Sequence, residues 1–294
     1  AKSVALWAAR VQIPHPAPIP LVFEEIEDDF TLWLRSRQLS KGYVDQMLSS
    51  LRRFGVKIKG PMDVVSVFSG LSRGQSHQMI RALRNLFNFY EAQGVDKTWL
   101  DILRKNIPTD KVGIDLMVPT EEAIIESLRK LSKPRFERFF AVYNLILDSG
   151  LRLTEAVRLI SSLSTVQIQR QDEFCVATIG SFRGTKVAYF GYFTDYTMRL
   201  IGRVGGKLSY ETVKRKKGWD KGVISWKYLR KFAFDKMIEL EVPESVADFI
   251  EGRVPKRIGA KHYMALARQA SKFYPRYARY ITELREKADV LKAA

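Results

Sequence analysis

Five basic side chains and one phenol in the second half of the chain could together handle a phosphate. In "LDSGLRLTEAVRL", residues 147–159, Arg152 follows Gly150 and precedes Thr154 and Glu155. One helix is expected to end at the glycine and the next to be capped by Thr154, leaving the guanidinium in the connection. A planar fork of donors placed there can grip a phosphate bidentately. In "ISWKYLRKF", a helix starting near Ser225 would present Lys227 and Arg230 on one face and pack Trp226 and Leu229 inward. In "EGRVPKRIGAKHYMAL", Gly252-Arg253 and Pro255 make a break, and Tyr263 follows in a new helical run. Taken singly, each has an ordinary alternative. Arg152 could be a surface arginine bridged to Glu155 or Asp148, Lys227 and Arg230 a solvated basic face, and Tyr263 a packing residue. The chain order Arg152, Lys186, Arg230, Arg253, Tyr263 is more informative than any member of it.

The elements that would position these residues fall into two groups. Residues 1–20 end in "IPHPAPIP", whose prolines remove backbone donors and block helix, so an extended N-terminal arm is expected. Over 21–111 the period is helical. Phe23, Ile26, Phe30 and Leu34 mark one face, Val44, Met47, Leu48, Leu51 and Phe54 a second after Ser40, and "GPMDVVSVFSGL" a short third helix. Ile80, Leu83, Phe87 and Tyr90 mark a fourth helix, closed by Gly94. Four helices are expected to form one compact domain. Two prolines and a glycine between Lys105 and Pro119, with no sustained period, predict a linker at 112–118 and a second domain over 119–294. There Thr120 with Glu121 and Glu122 opens a helix, and "RFERFFAVYNLILDSG" leads into the Arg152 turn. "STVQIQ", "EFCVATIG" and "KVAYFGYF" predict three short antiparallel strands, and the chain from about Trp226 reads as helical again. The fold class is thus mainly α with a small antiparallel sheet.

Lys and Arg number 49 against 32 Asp and Glu, a formal charge of +17, which favours a polyanionic partner such as nucleic acid or an anionic membrane surface. The basic residues concentrate between Lys207 and Lys231, where nine bases face two acids. Cys175 is the only cysteine, so an intramolecular disulfide is excluded, and three scattered histidines with one thiol make no ordinary zinc site. No apolar run approaches bilayer length, and the first residues lack the apolar core of a secretory signal. A cytoplasmic protein with no metal and no cofactor is expected. Neither a glycine-rich phosphate loop nor a Ser/His/Asp pattern points to another enzyme class.

"SGLRLTEAVRL" resembles the first box of the tyrosine recombinases, a Gly-Leu-Arg turn followed by a Glu-bearing helix, and "KYLR" resembles their second box, normally His-x-x-Arg. Lys227 in place of that histidine, and Arg253 in place of a later His or Trp, depart from the usual bacterial pattern. Both resemble the integrases of archaeal spindle-shaped viruses and related plasmids. The resemblance covers most of the chain and makes the helical half similar to the family's core-binding domain. It places a lysine at the tip of a β-hairpin, where "SFRGTKVAYF" offers Lys186 and, as an alternative, Arg183. It selects Tyr263 as nucleophile by its interval from Gly252-Arg253, and assigns Tyr274, Tyr277 and Tyr280 to a separate docking helix after Pro275.

The chemistry so implied is phosphodiester transesterification. Arg152 and Arg230 would clamp the non-bridging oxygens, Lys227 and Arg253 would add donors, and Glu155 would orient a neighbouring base. Lys186, or Arg183, would protonate the leaving 5′ oxygen, and Tyr263 would become a 3′-phosphotyrosine. That link conserves the phosphodiester energy, so no ATP is needed. The implied partner is a duplex DNA attachment site bound by a homotetramer, monomeric when free. The alternatives are a type IB topoisomerase, with a similar cluster but no strand exchange, and a DNA-binding protein without catalysis.

Overall fold

The computed structural model describes residues 20–109, 113, 115–183, 186–204, 206, 208–215, 222–253 and 263–293. The expected arm, apart from Pro20, and residues 110–112 and 114 of the connection lie outside this set. The chain divides into two compact units, 1–114 and 115–294.

The first unit holds β1 (Leu21–Val22), α1 (Phe23–Ser36), α2 (Lys41–Arg53), β2 (Lys57–Ile58), α3 (Pro61–Val67), α4 (Arg73–Ala92) and α5 (Lys97–Lys105). The periodic faces become its core. Phe23, Phe30 and Leu34 of α1 pack with Val44, Met47 and Leu51 of α2 and with Ile80, Leu83 and Phe87 of α4. The start of α4 is fixed by a reciprocal cap: the Ser72 N–H donates to Gln75 Oε1 at 2.9 Å and the Gln75 N–H to Ser72 Oγ at 3.4 Å. Three elements go beyond the four expected helices. Helix α5 is capped by Asp96, whose Oδ1 accepts from the Trp99 N–H at 2.7 Å. Strands β1 and β2 pair antiparallel, Leu21 opposite Ile58, a contact between segments too short to show a period.

The second unit holds α6 (Glu121–Leu131), α7 (Glu137–Ser149), α8 (Leu153–Ser161), β3 (Ile168–Arg170), β4 (Phe174–Arg183), β5 (Lys186–Thr194), α9 (Asp195–Val204), α10 (Tyr210–Arg215), α11 (Trp226–Glu239), α12 (Glu244–Ile250) and α13 (Tyr263–Lys287). The three strands form one antiparallel sheet in the order β3-β4-β5, with Arg183 opposite Lys186 as the last registered pair of the β4–β5 hairpin. Helix α7 is the centre: every residue from Phe140 to Ser149 is buried. The expectation that helix resumes near Trp226 missed α9 and α10, although Tyr196, Leu200, Ile201 and Val204 give α9 an apolar face. The expected separate helix after Pro275 is also corrected. Tyr274 precedes that proline, and α13 runs through it without a break. A proline removes one i→i−4 bond; here buried Tyr274, Tyr277, Ala278, Ile281 and Leu284 hold the helix across the gap.

The far end of α13 is locked to α7 by a fully buried ion pair between Arg285 and Asp148. Arg285 Nε donates to Asn144 Oδ1 at 2.9 Å and its Nη1 to Thr194 Oγ1 at 2.9 Å, while Asp148 Oδ2 accepts from the Thr194 N–H at 2.8 Å. Breaking such a pair leaves an uncompensated buried charge. Asp148→Ala is therefore expected to destabilise the second unit by about 3–5 kcal/mol, read from its urea unfolding transition. A change below about 1 kcal/mol would mean that the guanidinium finds water instead.

Candidate active site

The Arg152 turn forms as the local signals require, with one correction. Gly150 ends α7 in the left-handed region at φ 60°, the backbone state that glycine reaches without strain. Arg152 itself, at ψ 148°, is the N-cap of α8, and Thr154 lies inside the first turn. The cap is made by Glu155: its Oε2 accepts the Arg152 N–H at 3.0 Å, and its Oε1 lies 3.4 Å from Arg152 Nη1. The carboxylate, buried at the helix start, thus fixes both the backbone and the side chain of Arg152.

Arg152, Arg230 and Arg253 meet at one turn, Glu251-Gly252. Arg152 Nη1 donates to the Gly252 carbonyl at 2.8 Å, and Arg230 Nη1 to the Glu251 carbonyl at 3.3 Å. The Glu251 side chain, 0% exposed, reaches into the same cluster. Its Oε2 lies 2.8 Å from Arg253 Nη2 and 3.7 Å from Arg230 Nη2, and among the described residues neither carboxylate oxygen has a formed hydrogen bond. Two glycines make room for this. A Cβ on Gly150 would stand 2.6 Å from Glu251 Cγ, and one on Gly252, at φ 68°, 2.7 Å from the Ala188 Cβ of β5.

Burial dominates the electrostatics of the cluster. It pushes the Glu251 carboxyl up to about 7 despite the neighbouring Arg230 and Arg253 charges, and lowers Arg230 to about 10. Arg230 stays cationic at neutral pH in either case. Arg253 is more open; it also pairs with Asp248 at 3.5 Å and lies over the Phe234 ring at 5.0 Å.

Lys227 does not share this environment. It is one residue into α11 after the Ser225 N-cap, as expected, with Trp226 and Leu229 buried beneath, but its side chain is 64% exposed and ion-paired with Asp115 at 2.5 Å. The hydrogen bond from Lys227 holds the Asp115 carboxyl well below the usual carboxylate range. Asp115 also pairs with Lys231 at 3.2 Å, so a residue expected in the linker is fastened to α11. Arg183 and Lys186 face each other across the hairpin, and Tyr263 is the first residue of α13; their side chains, like residues 254–262, lie outside the described set. Lys207 and residues 216–221 of the basic segment lie outside it too.

The other three late tyrosines are occupied. Tyr274 donates to the Asp148 carbonyl at 3.2 Å, Tyr277 to the Leu147 carbonyl at 2.7 Å and Tyr280 to Glu121 Oε1 at 2.7 Å. Burial, first among the causes, holds all three phenols above their ordinary range. Sequence reasoning missed Glu251, Asp115 and Arg285. For Glu251 one signal existed: it follows buried Ala247 by one helical step and adjoins buried Ile250, on the apolar side of α12. Among the described residues no cluster of His, Cys, Asp or Glu could hold a metal ion, and no helix is long and apolar enough to cross a membrane.

A family model described as archaeal phage integrase matches residues 116–280. Among solved structures, a lambda integrase (75-356) dimer bound to a COC′ core site matches with a TM-score of 0.57 and 13% identity, covering 81% of this chain and 97% of that one. A second lambda integrase dimer bound to a COC′ core site matches with a TM-score of 0.57 and 12% identity, covering 85% of this chain and 77% of that one. No curated protein sequence matches significantly.

Proposed function

Since the chain belongs to the archaeal phage integrase family, within the tyrosine recombinases, we propose that it cleaves and rejoins DNA at a specific site through a 3′-phosphotyrosyl link to Tyr263. The observation that carries this reading is the meeting of Arg152, Arg230 and Arg253 at the Glu251-Gly252 turn. Three guanidiniums fixed in place before substrate arrives form an electrostatic trap for a pentacoordinate phosphate, whose charge grows at the non-bridging oxygens. Arg152 and Arg230 clamp those oxygens and Arg253 adds a further donor. Lys186 or Arg183, at the end of the hairpin, gives the proton to the leaving 5′ oxygen. Lys227 joins only after exchanging Asp115 for a phosphate. Sequestration of the Tyr274, Tyr277 and Tyr280 phenols supports Tyr263 as the nucleophile.

The partner is a duplex attachment site, consistent with lambda integrase having been solved on a core site, and the reaction integrates a viral or plasmid genome inside the host cell, where the protein associates with the nucleoid. A homotetramer assembles on DNA from monomers. The test is incubation with a labelled duplex nicked near the scissile phosphate, so that the cleaved end diffuses away and the covalent product accumulates. A protein–DNA band that survives denaturant, together with joint products between two duplexes, is expected. Plasmid relaxation without joint products, on DNA holding the cognate site, would favour the topoisomerase. Tight binding with no covalent band would leave only a DNA-binding protein.

A further inference from the structure

We propose that Glu251 is a positioning residue for the phosphate-gripping arginines and that it takes up a proton when a DNA phosphodiester enters their cluster. This rests on the strand-transfer reading of the site and adds to it a residue and a proton.

The geometry makes Glu251 the hub of the cluster. Its main-chain carbonyl holds Arg230, that of the next residue holds Arg152, and its carboxylate faces Arg253 and Arg230. Among the described residues, the charged or titratable groups around it are Arg152 beside Gly150, Glu155 on α8, Arg230 on α11, Asp248 on α12, Arg253 just beyond α12, and Tyr277 on α13. With the site empty, the carboxylate is the anion that Arg253 and Arg230 face together, while Arg152 is paired with Glu155. An arriving phosphodiester brings a second negative charge and competes for the same Arg230 and Arg253 donors. Two anions a few ångströms apart disfavour each other's charged forms. A phosphodiester cannot protonate near neutral pH, so the carboxyl does. Solvent supplies the proton, and no bond to carbon or phosphorus changes. Burial already holds the empty-site carboxyl at about 7, so this proton uptake falls within the physiological range.

The direction of the pH effect follows. Below about pH 7 Glu251 is protonated with or without DNA, and affinity for the scissile phosphate is independent of its titration. Above that, loading must draw a proton from solvent, and affinity falls by at most about tenfold per pH unit, until the pKa of the loaded site is reached. Glu251→Gln, neutral at every pH and of nearly the same shape, removes this dependence.

The experiment compares wild type, Glu251→Gln and Glu251→Asp, each checked for folding by circular dichroism. The readouts are the rate of adduct formation on the nicked duplex from pH 6 to pH 8.5 and the infrared difference spectrum on adding duplex at pH 8. Wild type should show a rate that is flat and then declines several-fold above pH 7, together with a protonated-carboxyl band that appears with DNA. Glu251→Gln should show a flat profile and no band. Glu251→Asp should keep the band with a displaced midpoint, and it carries the test should the glutamine variant not fold. A duplex-induced band absent from wild type, or unchanged in Glu251→Gln, overturns the inference, and so does an identical pH profile in the two proteins. An absent adduct in wild type refutes strand transfer instead, while the infrared spectrum still decides whether Glu251 takes up the proton.

Discussion

Tyr263→Phe is expected to abolish the denaturant-stable protein–DNA adduct while leaving duplex affinity nearly unchanged. The substitution deletes one oxygen and keeps the ring, so it removes the proposed nucleophile with the least change of shape. The other three late phenols are already hydrogen-bonded. Tyr274 and Tyr277 are buried with their hydroxyls on the carbonyls of Asp148 and Leu147; freeing either would open the contact between α13 and α7. Their Phe variants should lower stability by about 1 kcal/mol each, the usual net value of a hydrogen bond, without blocking cleavage. Gel resolution of the adduct, with duplex binding measured in parallel, checks both halves. An adduct that persists in Tyr263→Phe and disappears in Tyr274→Phe, Tyr277→Phe or Tyr280→Phe would move the nucleophile. Indifference to all four would end the covalent reading.

Arg230→Ala and Arg152→Ala should each slow single-turnover cleavage by roughly 10²–10³, the typical effect of removing a preorganised donor to a developing oxyanion. Arg230 is held by burial, by the Glu251 carbonyl and by its ion pair with Glu251, and its side chain keeps 12% exposure. Loss of Arg230 would leave Glu251 beside fewer cations, but a carboxyl already near neutrality can protonate, so folding should survive. Lys227→Ala should cost less, because Lys227 is exposed and already committed to Asp115. A loss as large for Lys227→Ala as for Arg230→Ala would show that Asp115 releases the lysine when DNA binds.

The turn around Arg152 was readable because its determinants are local. Gly150, Arg152 and Glu155 lie within one turn, and the left-handed glycine and the carboxylate cap need only each other. The three strands were readable from their β-branched and aromatic runs, and Trp226 and Leu229 from helical spacing. What escaped depends on partners distant in the chain. Nothing near Lys227 announces that Asp115 will meet it, and nothing near Glu251 announces that Arg152 and Arg230 will join Arg253 beside it. The break expected at Pro275 failed for the same reason: local backbone chemistry argued for an end, and the buried side chains beyond the proline outweighed one missing hydrogen bond. Assigning the cap to Thr154 applied the right rule to the wrong residue, since Glu155 reaches back to satisfy the Arg152 N–H.

The close approach of Gly150 and Glu251 also limits how the lineage can drift. A side chain at 150 would have to occupy space already filled by Glu251, its Cβ standing 2.6 Å from the Cγ. Any replacement of the glycine must therefore come after a shortening at 251, and must be a residue, such as asparagine, that tolerates a left-handed backbone. A shortening at 251 in turn draws a counter-charge away from Arg230 and Arg253. Each step is damaging alone and tolerable only with the other, the non-additive behaviour of side chains in direct contact. Positions 150 and 251, remote in the gene, are thus heritable as a pair, and recombination between related genes that splits them would yield a misfitted site from two working parents.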